Sequence, residues 1–303
     1  MQNENKAPGP RIERERLFLP RGWLPHRHRC RKQMAMSYLV QVEPGTTGEP
    51  ARKEPSELRA LFASCDRWAL FLDVDGTLLD LAATPDGVVL PPGLADDLDA
   101  LAGKLGGALA LVTGRSIAFV DALFSPRRFP VAGLHGSERR SSDGTRHESP
   151  LTGRFLRLKQ AISARAGAWD GVLVEDKHAA IAVHYRLAPD RQADVEALML
   201  GAAAEAGPGW TLQRGKMVAE IRPSQADKGA AVNAFLEDGP FRGRAPFVIG
   251  DDVTDEAMFD VANARGGLSV RVGPPPGPTA ARLSLATPGD VRAFLALAAL
   301  YSA

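Results

Sequence analysis

The stretch that decides the fold is Trp68-Ala-Leu-Phe-Leu-Asp73-Val-Asp75-Gly76-Thr-Leu-Leu79. Its first five residues are apolar, which is typical of a short buried strand. In an open parallel sheet, ligands bind outside the carboxyl ends of the strands, and Asp73 follows such an end. Asp75 can turn back over the same place, because Gly76 allows a sharp turn without a Cβ clash. A lone Asp-x-Asp is well explained by a turn, but the full string after a strand favours a divalent cation, and oxygen ligands favour magnesium.

Two weaker segments repeat this placement of polar residues. Thr113 follows the apolar run before it, and its hydroxyl, with nearby backbone N–H groups, can hold phosphate oxygens at a helix N-terminus. Ser116 could equally be a plain helix cap. Lys228 is expected at the start of a helix, where the macrodipole disfavours a cation, so the position indicates an anionic partner. A solvated surface lysine is the alternative.

The fourth segment is Val248-Ile-Gly-Asp251-Asp-Val-Thr-Asp255-Glu256, an apolar strand that ends in a dense carboxylate cluster. Packed acids repel one another unless a cation or hydrogen bonds hold them. Some of these acids can also cap the helix that follows. We assign Asp251 to a metal, and either Asp255 or Glu256 to the cap.

Alternating strands and helices predict a parallel sheet with covering helices. The predicted strands are 68–72, 107–112, 130–134, 246–249 and 268–272, and the predicted helices 94–105, 117–124, 227–236, 255–264 and 289–300. Between these halves, paired strands alternate with two helices, which predicts an inserted α+β domain. The predicted division is a core in two parts, 56–137 and 224–303, with an insert at 138–223.

The four segments, in this order and at these strand ends, resemble the haloacid dehalogenase superfamily over about residues 61–134 and 224–300. The resemblance implies a parallel-sheet core with an inserted cap and Mg²⁺-assisted phosphoryl transfer onto a carboxylate. By its implication, Asp73 is the nucleophile and Asp75 the general acid/base. Thr113 would bind phosphate oxygens and Lys228 would steady the nucleophile and the phosphate. The metal would be held by Asp73, Asp251 and the backbone carbonyl of Asp75.

Further marks are similar to the trehalose-6-phosphate phosphatase family and extend the resemblance over about residues 61–300. They lie at 133–138, 175–177, 184–186, 216–223 and 250–256. This resemblance implies these substrate-binding residues: Gly114, Arg115, His135, Gly136, Glu175, Lys177, Lys216 and Glu220. Glu and Lys side chains can hydrogen-bond the many hydroxyls of a disaccharide. Solvated charges are the alternative for the four residues of the insert, and a structural histidine is the alternative for His135. We expect His184 to be structural.

Two other functions remain open at this point. The chain could hydrolyse another sugar phosphate, such as sucrose or glucosylglycerol phosphate, with the same catalytic residues and a differently shaped insert. It could also be an inactive phosphatase-like module that binds a partner or senses a sugar phosphate. Loss of Asp73, Asp75, Lys228 or Asp251 would favour such a module, and all four are present.

The composition is that of a soluble globular protein, with 303 residues, 45% hydrophobic and 24% charged, and a net charge of +1. Residues 1–36 carry +6, which leaves −5 for the remainder, so nucleic acid is not the expected partner. Residues 1–55 lack any sustained period and are predicted to be a basic tail. No apolar run is long enough to span a membrane. Two cysteines cannot form a disulfide framework, so we expect a cytoplasmic enzyme.

Overall fold

The structure is a computed structural model that describes residues 49–63, 67–82, 87–148, 151–177, 179–215, 217–224, 227–275 and 277–300. These residues form the following strands: β1 (Ala51–Arg52), β2 (Trp68–Leu72), β3 (Leu109–Val112), β4 (Val131–Gly133), β5 (Glu138–Arg140), β6 (Arg146–Glu148), β7 (Leu173–Asp176), β8 (Ile181–His184), β9 (Trp210–Gly215), β10 (Val218–Pro223), β11 (Ala245–Gly250), β12 (Leu268–Val272) and β13 (Leu283–Leu285).

The helices within the same residues are α1 (Pro55–Ala63), α2 (Leu94–Lys104), α3 (Ile117–Leu123), α4 (Gly153–Ala166), α5 (Gln192–Ala206), α6 (Lys228–Leu236), α7 (Glu256–Ala264) and α8 (Pro288–Leu300). None of the described helices is long and apolar enough to cross a membrane.

The larger sheet has the strand order β1-β13-β12-β11-β2-β3-β4-β5-β6. The first seven strands in this spatial order are all parallel to one another. β2 lies in the middle, between β11 and β3, and every residue of β2 is buried. A parallel strand that is covered on both faces has a continuous apolar sequence. The apolar run Trp68–Leu72 therefore predicted β2 correctly. The carboxyl ends of β2, β3 and β11 therefore meet at one edge of the sheet.

Aromatic side chains fill the layer between this sheet and the helices α1 and α8. The ring of Phe247 lies 5.3 Å from that of Trp68, 5.4 Å from that of Phe62 and 5.8 Å from that of Phe294. Such pairs stabilise a core beyond the area that they bury. This packing fixes β2 and β11 side by side and so fixes the edge at which both strands end.

The smaller sheet is antiparallel, in the order β7-β8-β10-β9, and belongs to the insert. One of its faces packs against α4 and α5 through an apolar cluster that includes Phe155, Val183, Met199 and Ile221. Alternate residues of β10, such as Glu220 between Ala219 and Ile221, point to the opposite face. The insert thus has one apolar face that its own helices cover and one face with polar side chains.

The predicted fold class, an α/β parallel-sheet core with an inserted α+β unit, is confirmed. The predicted start of the insert at residue 138 differs from the structure, in which β5 and β6 extend the larger sheet as an antiparallel hairpin. Their sequences, Glu-Arg-Arg and Arg-His-Glu, contain no apolar residue, so no hydrophobic period marked them as strands.

The predicted tail also differs at its end. Residues 1–48 lie outside the described residues, but β1 pairs in parallel with β13 at the edge of the larger sheet, and α1 begins at Pro55. A strand of two exposed residues carries no sequence signal of its own.

Burial on α8 predicts how much single leucines stabilise the core. Leu295 is fully buried, whereas Leu300 on the same helix is 77% exposed. We expect Leu295→Ala to lower the free energy of unfolding by about 2–5 kcal/mol, because it leaves a cavity. Leu300→Ala, the matched control, should change it by less than about 0.5 kcal/mol. Urea denaturation followed by far-UV circular dichroism measures both, and equal effects would contradict this packing.

Candidate active site

Three polar residues meet at the edge where the central strands end. Asp73 directly follows β2, Thr113 follows β3 and Asp251 follows β11. The backbone N–H of Asp73 donates to the carbonyl of Ile249 at 3.0 Å, so the parallel pairing continues up to this residue. Asp73 and Thr113 are buried, and Asp251 is half-buried. The sheet therefore places carboxylates and a hydroxyl in a site with little access to water.

Lys228 is the cation of this site. It is the first residue of α6, whose N-cap Asp227 accepts a hydrogen bond from the N–H of Ala230. The Nζ of Lys228 donates to Asp73 Oδ1 at 2.6 Å and to Asp255 Oδ1 at 2.6 Å. Burial alone would lower the pKa of Lys228, but the charges of Asp255 and Asp73 outweigh it and raise the pKa above its usual value. Lys228 is therefore charged and bridges two buried carboxylates.

The acids Asp73, Asp251 and Asp255 form a cluster in which one carboxylate oxygen of each lies within 4.8 Å of the others. Burial, followed by the negative charge of Asp255, raises the pKa of Asp251 to about 6. Burial likewise raises the pKa of Asp73 well above its usual value, although Lys228 opposes the shift. One lysine does not neutralise three acids, and a divalent cation with oxygen ligands fits this donor set.

Asp255 has two functions that the sequence did not separate. It takes part in a capping box with Asp252 at the short 3-10 turn Val253–Asp255. It also occupies the N-cap position of α7, as predicted for Asp255 or Glu256, but its side chain makes no capping hydrogen bond there. Its Oδ2 accepts from the N–H groups of Asp251 and Asp252 at 2.9 and 3.0 Å. Its Oδ1 binds Lys228, a contact that sequence reasoning missed. Because both oxygens already accept hydrogen bonds, Asp255 fixes Lys228 and the Asp251 loop.

Two further contacts hold the carboxylate and the backbone of Asp251. Thr77 Oγ1 donates to Asp251 Oδ1 at 3.0 Å, another contact that sequence reasoning missed. Arg271, fully buried at the end of β12, pairs with Glu256 at 3.0 Å and donates to the carbonyl of Asp251. Glu256 therefore supports the Asp251 loop through Arg271 and does not cap α7.

Asp75 differs from the other acids because its carboxylate is held by an arginine. Arg115 Nε donates to Asp75 Oδ2 and Arg115 Nη2 donates to Asp75 Oδ1, each at 2.8 Å. The three-acid cluster does not include Asp75; the metal contact predicted for it uses its backbone carbonyl instead. Gly76 lets the chain turn here: its φ is +79°, and a Cβ would lie 2.1 Å from Asp251 Oδ2.

The predicted phosphate-binding residue Thr113 and its neighbour Gly114 lie against His135. The backbone N–H of His135 donates to the carbonyl of Thr113 at 2.9 Å, and a Cβ on Gly114 would lie 2.9 Å from the imidazole ring. Gly136 has a φ of +101°, where a side chain would be strained. Burial, then the positive charges of Lys228, Arg222 and Lys177, lowers the pKa of His135 well below its usual value. His135 is therefore a neutral imidazole.

The predicted sugar-binding residues of the insert contact one another. Lys177 Nζ donates to Glu220 Oε2 at 2.8 Å and lies 3.8 Å from Glu175. Glu175 Oε2 lies 2.9 Å from His184 Nε2, and this hydrogen bond lowers the pKa of Glu175. Lys216 lies outside the described residues.

Two clefts separate the insert from the core. The first, about 620 Å³, is lined by Asp75 and Arg115 of the core and by Glu175, Lys177 and His184 of the insert. The second, about 800 Å³, contains Asp73, Lys228 and Asp251 on one side and the strand β9 on the other. Asp75 and Gly114 line both clefts. Of the predicted residues, Asp73, Asp75 and Lys228 of the core and Glu175 and Lys177 of the insert thus line these two adjoining clefts, whereas the buried Thr113 lines neither.

Comparison with known proteins agrees with this geometry. The family model of trehalose-phosphatase matches residues 71–288. The chain belongs to the trehalose-phosphatase family. It is 57% identical over 243 residues to a probable trehalose-phosphate phosphatase of Sinorhizobium fredii. The aligned residues cover 80% of this chain and 92% of that relative. It is 41% identical over 232 residues to the trehalose-6-phosphate phosphatase of Escherichia coli K12, which covers 76% and 85%.

Solved structures show the same fold as this trehalose-phosphatase. The C-terminal domain of C. albicans trehalose-6-phosphate phosphatase superposes with a TM-score of 0.71 at 22% identity, over 84% of this chain and all of that domain. A Bacteroides thetaiotaomicron phosphatase of the haloalkanoate (HAD) enzyme superfamily superposes with a TM-score of 0.53 at 15% identity, over 84% and 96%. The resemblance to the trehalose-6-phosphate phosphatase family is confirmed, and the superfamily structure shares the fold.

Removing the charge of Lys228 in this trehalose-phosphatase should make stability depend on pH. In Lys228→Met, Asp73 and Asp255 remain buried without their cation, so the folded-state pKa of Asp73, which burial already raises, should rise further above its unfolded value. The folded variant then binds more protons than the unfolded chain, and stability falls as pH rises. We expect a loss of about 3–5 kcal/mol at pH 8 and a smaller loss at pH 5, measured by urea denaturation.

The double variant Asp73→Asn/Lys228→Met is the matched control, because it also removes one of the two stranded charges. It should recover part of the stability at pH 8. Equal losses for Lys228→Met at both pH values would show that the carboxylates do not depend on this lysine.

Proposed function

We propose that this enzyme hydrolyses trehalose 6-phosphate to trehalose and phosphate through a phosphorylated Asp73. The observation that carries the proposal is the contact of Lys228 with Asp73, at the strand ends beside Asp251, in a chain that belongs to the trehalose-phosphatase family. The substrate named for the relatives of Sinorhizobium fredii and Escherichia coli supports it. The cysteine content keeps a reducing cytoplasm as the proposed compartment.

Asp73 is suited to act as the nucleophile. Lys228 Nζ binds Asp73 Oδ1 and holds the carboxylate in one orientation while leaving Oδ2 to attack. Attack on phosphorus forms a bond from Asp73 to the phosphoryl group and breaks the bond to the sugar oxygen. The hydroxyl of Thr113 and the ammonium of Lys228 would bind phosphoryl oxygens. Lys228 also offsets the repulsion between the anionic carboxylate and the anionic phosphate.

Asp75 is the proposed acid and base. It would give a proton to the departing sugar oxygen, and in the second step it would take a proton from the water that releases phosphate from Asp73. The two hydrogen bonds from Arg115 hold the carboxylate at the junction of the two clefts.

The proposed metal is Mg²⁺, held by Asp73, Asp251 and the backbone carbonyl of Asp75. When bound, Mg²⁺ would neutralise charge on the phosphoryl oxygens and on the attacking carboxylate. Burial is the main cause that raises the pKa of Asp251 and of Asp73, and neighbouring acids add to it, so a bound cation would favour the ionised form of both carboxyls. Thr77 and Asp255 would hold the Asp251 loop in place for the ion.

The insert, from about residue 151 to residue 223, is the proposed cap that reads the sugar. Its polar sheet face carries Glu175 and Glu220, and Lys177 lies between their carboxylates. Such donors and acceptors match the hydroxyls of a disaccharide. Closure of the cap over the core would exclude water and commit the substrate. We retain Lys216 as a fourth sugar contact on the resemblance alone.

Magnesium should stabilise the protein in a pH-dependent way. Mg²⁺ requires the ionised form of Asp251, whose pKa is about 6, so protons compete with the ion at low pH. We expect the apparent affinity for Mg²⁺ to be at least about four-fold weaker at pH 5.5 than at pH 7.5. Titration of the melting temperature with Mg²⁺ measures it.

Asp251→Asn should remove the Mg²⁺-induced rise in melting temperature. Asp260→Asn, on an exposed position of α7, is the matched control and should retain it. A rise that is the same at both pH values, or that persists in Asp251→Asn, would rule out this metal site.

Cap variants should test the substrate and the sugar contacts together. Phosphate release is measured from trehalose 6-phosphate, sucrose 6-phosphate, glucosylglycerol phosphate and p-nitrophenyl phosphate, with and without Mg²⁺. We expect wild type to prefer trehalose 6-phosphate. Lys177→Ala and Glu220→Ala should each lower kcat/KM for that substrate by about ten-fold or more while sparing p-nitrophenyl phosphate, which makes no sugar contact.

A preference for another sugar phosphate would select the corresponding alternative, and no hydrolysis of any of them would favour the inactive module. If neither cap variant changes the ratio of the two activities, these residues do not read the sugar.

A further inference from the structure

Arg222 is a residue of the cap that the proposed function does not use. It lies on β10 and lines the cleft that contains Asp73 and Lys228. Its Nε donates to Gln213 Oε1 at 2.5 Å across the β9–β10 hairpin, which fixes the plane of the guanidinium. Its Nη1 is buried and has no hydrogen-bond partner among the described residues. A buried donor that is fixed in place at a cleft and lacks an acceptor indicates that a ligand accepts its hydrogen bond.

A buried hydrogen-bond acceptor without a partner among the described residues lies next to Arg222. Glu220 is two residues from Arg222 on the same strand, so both side chains point to the polar face of the cap sheet. Oε2 of Glu220 binds Lys177, whereas its Oε1 is buried without a partner among the described residues. The cap therefore presents an unpartnered acceptor and an unpartnered donor side by side.

The chemistry of this pair selects the class of ligand. A phosphate group would suit Arg222 but would be repelled by the carboxylate of Glu220. A hydroxyl group suits both, because it can donate to a carboxylate oxygen and accept from a guanidinium. Neighbouring hydroxyls of a pyranose ring offer several such groups. His135, whose buried Nδ1 is also unpartnered among the described residues, lines the same cleft.

We propose that Arg222, held by Gln213, binds a hydroxyl or ring oxygen of the sugar and is a specificity-determining residue of this enzyme. The proposal rests on the proposed sugar phosphatase function. It assigns the phosphoryl group to the core residues and the polyhydroxylated leaving group to the donor of Arg222 and the acceptor of Glu220. A substrate without hydroxyls on its leaving group gains nothing from Arg222.

The test compares Arg222→Ala and Arg222→Lys with wild type on trehalose 6-phosphate and p-nitrophenyl phosphate. We expect Arg222→Ala to lower kcat/KM for the sugar phosphate by about 10- to 100-fold and to leave p-nitrophenyl phosphate within about two-fold. Arg222→Lys should recover only part of the loss, because an ammonium cannot bind Gln213 and the sugar with the planar fork of a guanidinium. Arg191→Ala, which removes a cap arginine whose side chain is 42% exposed and paired with Asp194, is the matched control and should change neither activity.

Binding gives a second readout that does not depend on turnover. In the Asp73→Asn background, Arg222→Ala should weaken the binding of trehalose 6-phosphate, measured by calorimetry, and leave the binding of inorganic phosphate unchanged. Equal losses with both ligands, or equal losses of both activities with an unchanged melting temperature, would overturn the proposal, because Arg222 would then serve the phosphate. A lower melting temperature with both activities reduced would make Arg222 structural and also overturn it.

Failure of wild type to hydrolyse trehalose 6-phosphate is a different result and counts against the proposed substrate alone. The same comparison is then made with the sugar phosphate that wild type hydrolyses fastest, and an unchanged ratio to p-nitrophenyl phosphate would overturn the assignment of Arg222.

Discussion

The buried ammonium of Lys228 is the contact on which the site depends. It lies 2.6 Å from Asp73 on one side and 2.6 Å from Asp255 on the other. Without it, two carboxylates would lie in a region without water, where each would take up a proton or destabilise the fold. With it, Asp73 keeps one orientation and Asp255 connects α6 to the loop after β11. The same cation therefore stabilises the fold and orients the proposed nucleophile.

The rest of the site surrounds this contact with unbalanced negative charge. Asp251 is held by the hydroxyl of Thr77 and by its own backbone N–H, which donates to Asp255. Asp251 lies so close to the turn that position 76 has no room for a side chain. Burial, followed by the negative charge of Asp255, raises the pKa of Asp251 to about 6, so the ionised form of this acid is costly in the chain alone. The proposed divalent cation would offset this cost.

The sequence predicted those features that a single strand or turn determines. Asp73, Thr113 and Asp251 could be placed at one edge because each follows an apolar run, and parallel strands end together. It could not predict the contact of Asp255 with Lys228, since that contact depends on how α6 packs against the loop before α7. The pairing of Asp75 with Arg115 also depends on tertiary packing. The β5–β6 hairpin was missed because its residues are polar, and only its pairing with β4 makes it part of the sheet.

The central claim is that Asp73 carries the phosphoryl group. The most direct measurement mixes enzyme and radiolabelled trehalose 6-phosphate, stops the reaction with acid within milliseconds, and locates the label by peptide mass spectrometry. The account predicts a phosphorylated peptide with the modification on Asp73, formed before phosphate release and absent in Asp73→Asn. Normal phosphate release without any label on the protein, or label on a different residue, would contradict it.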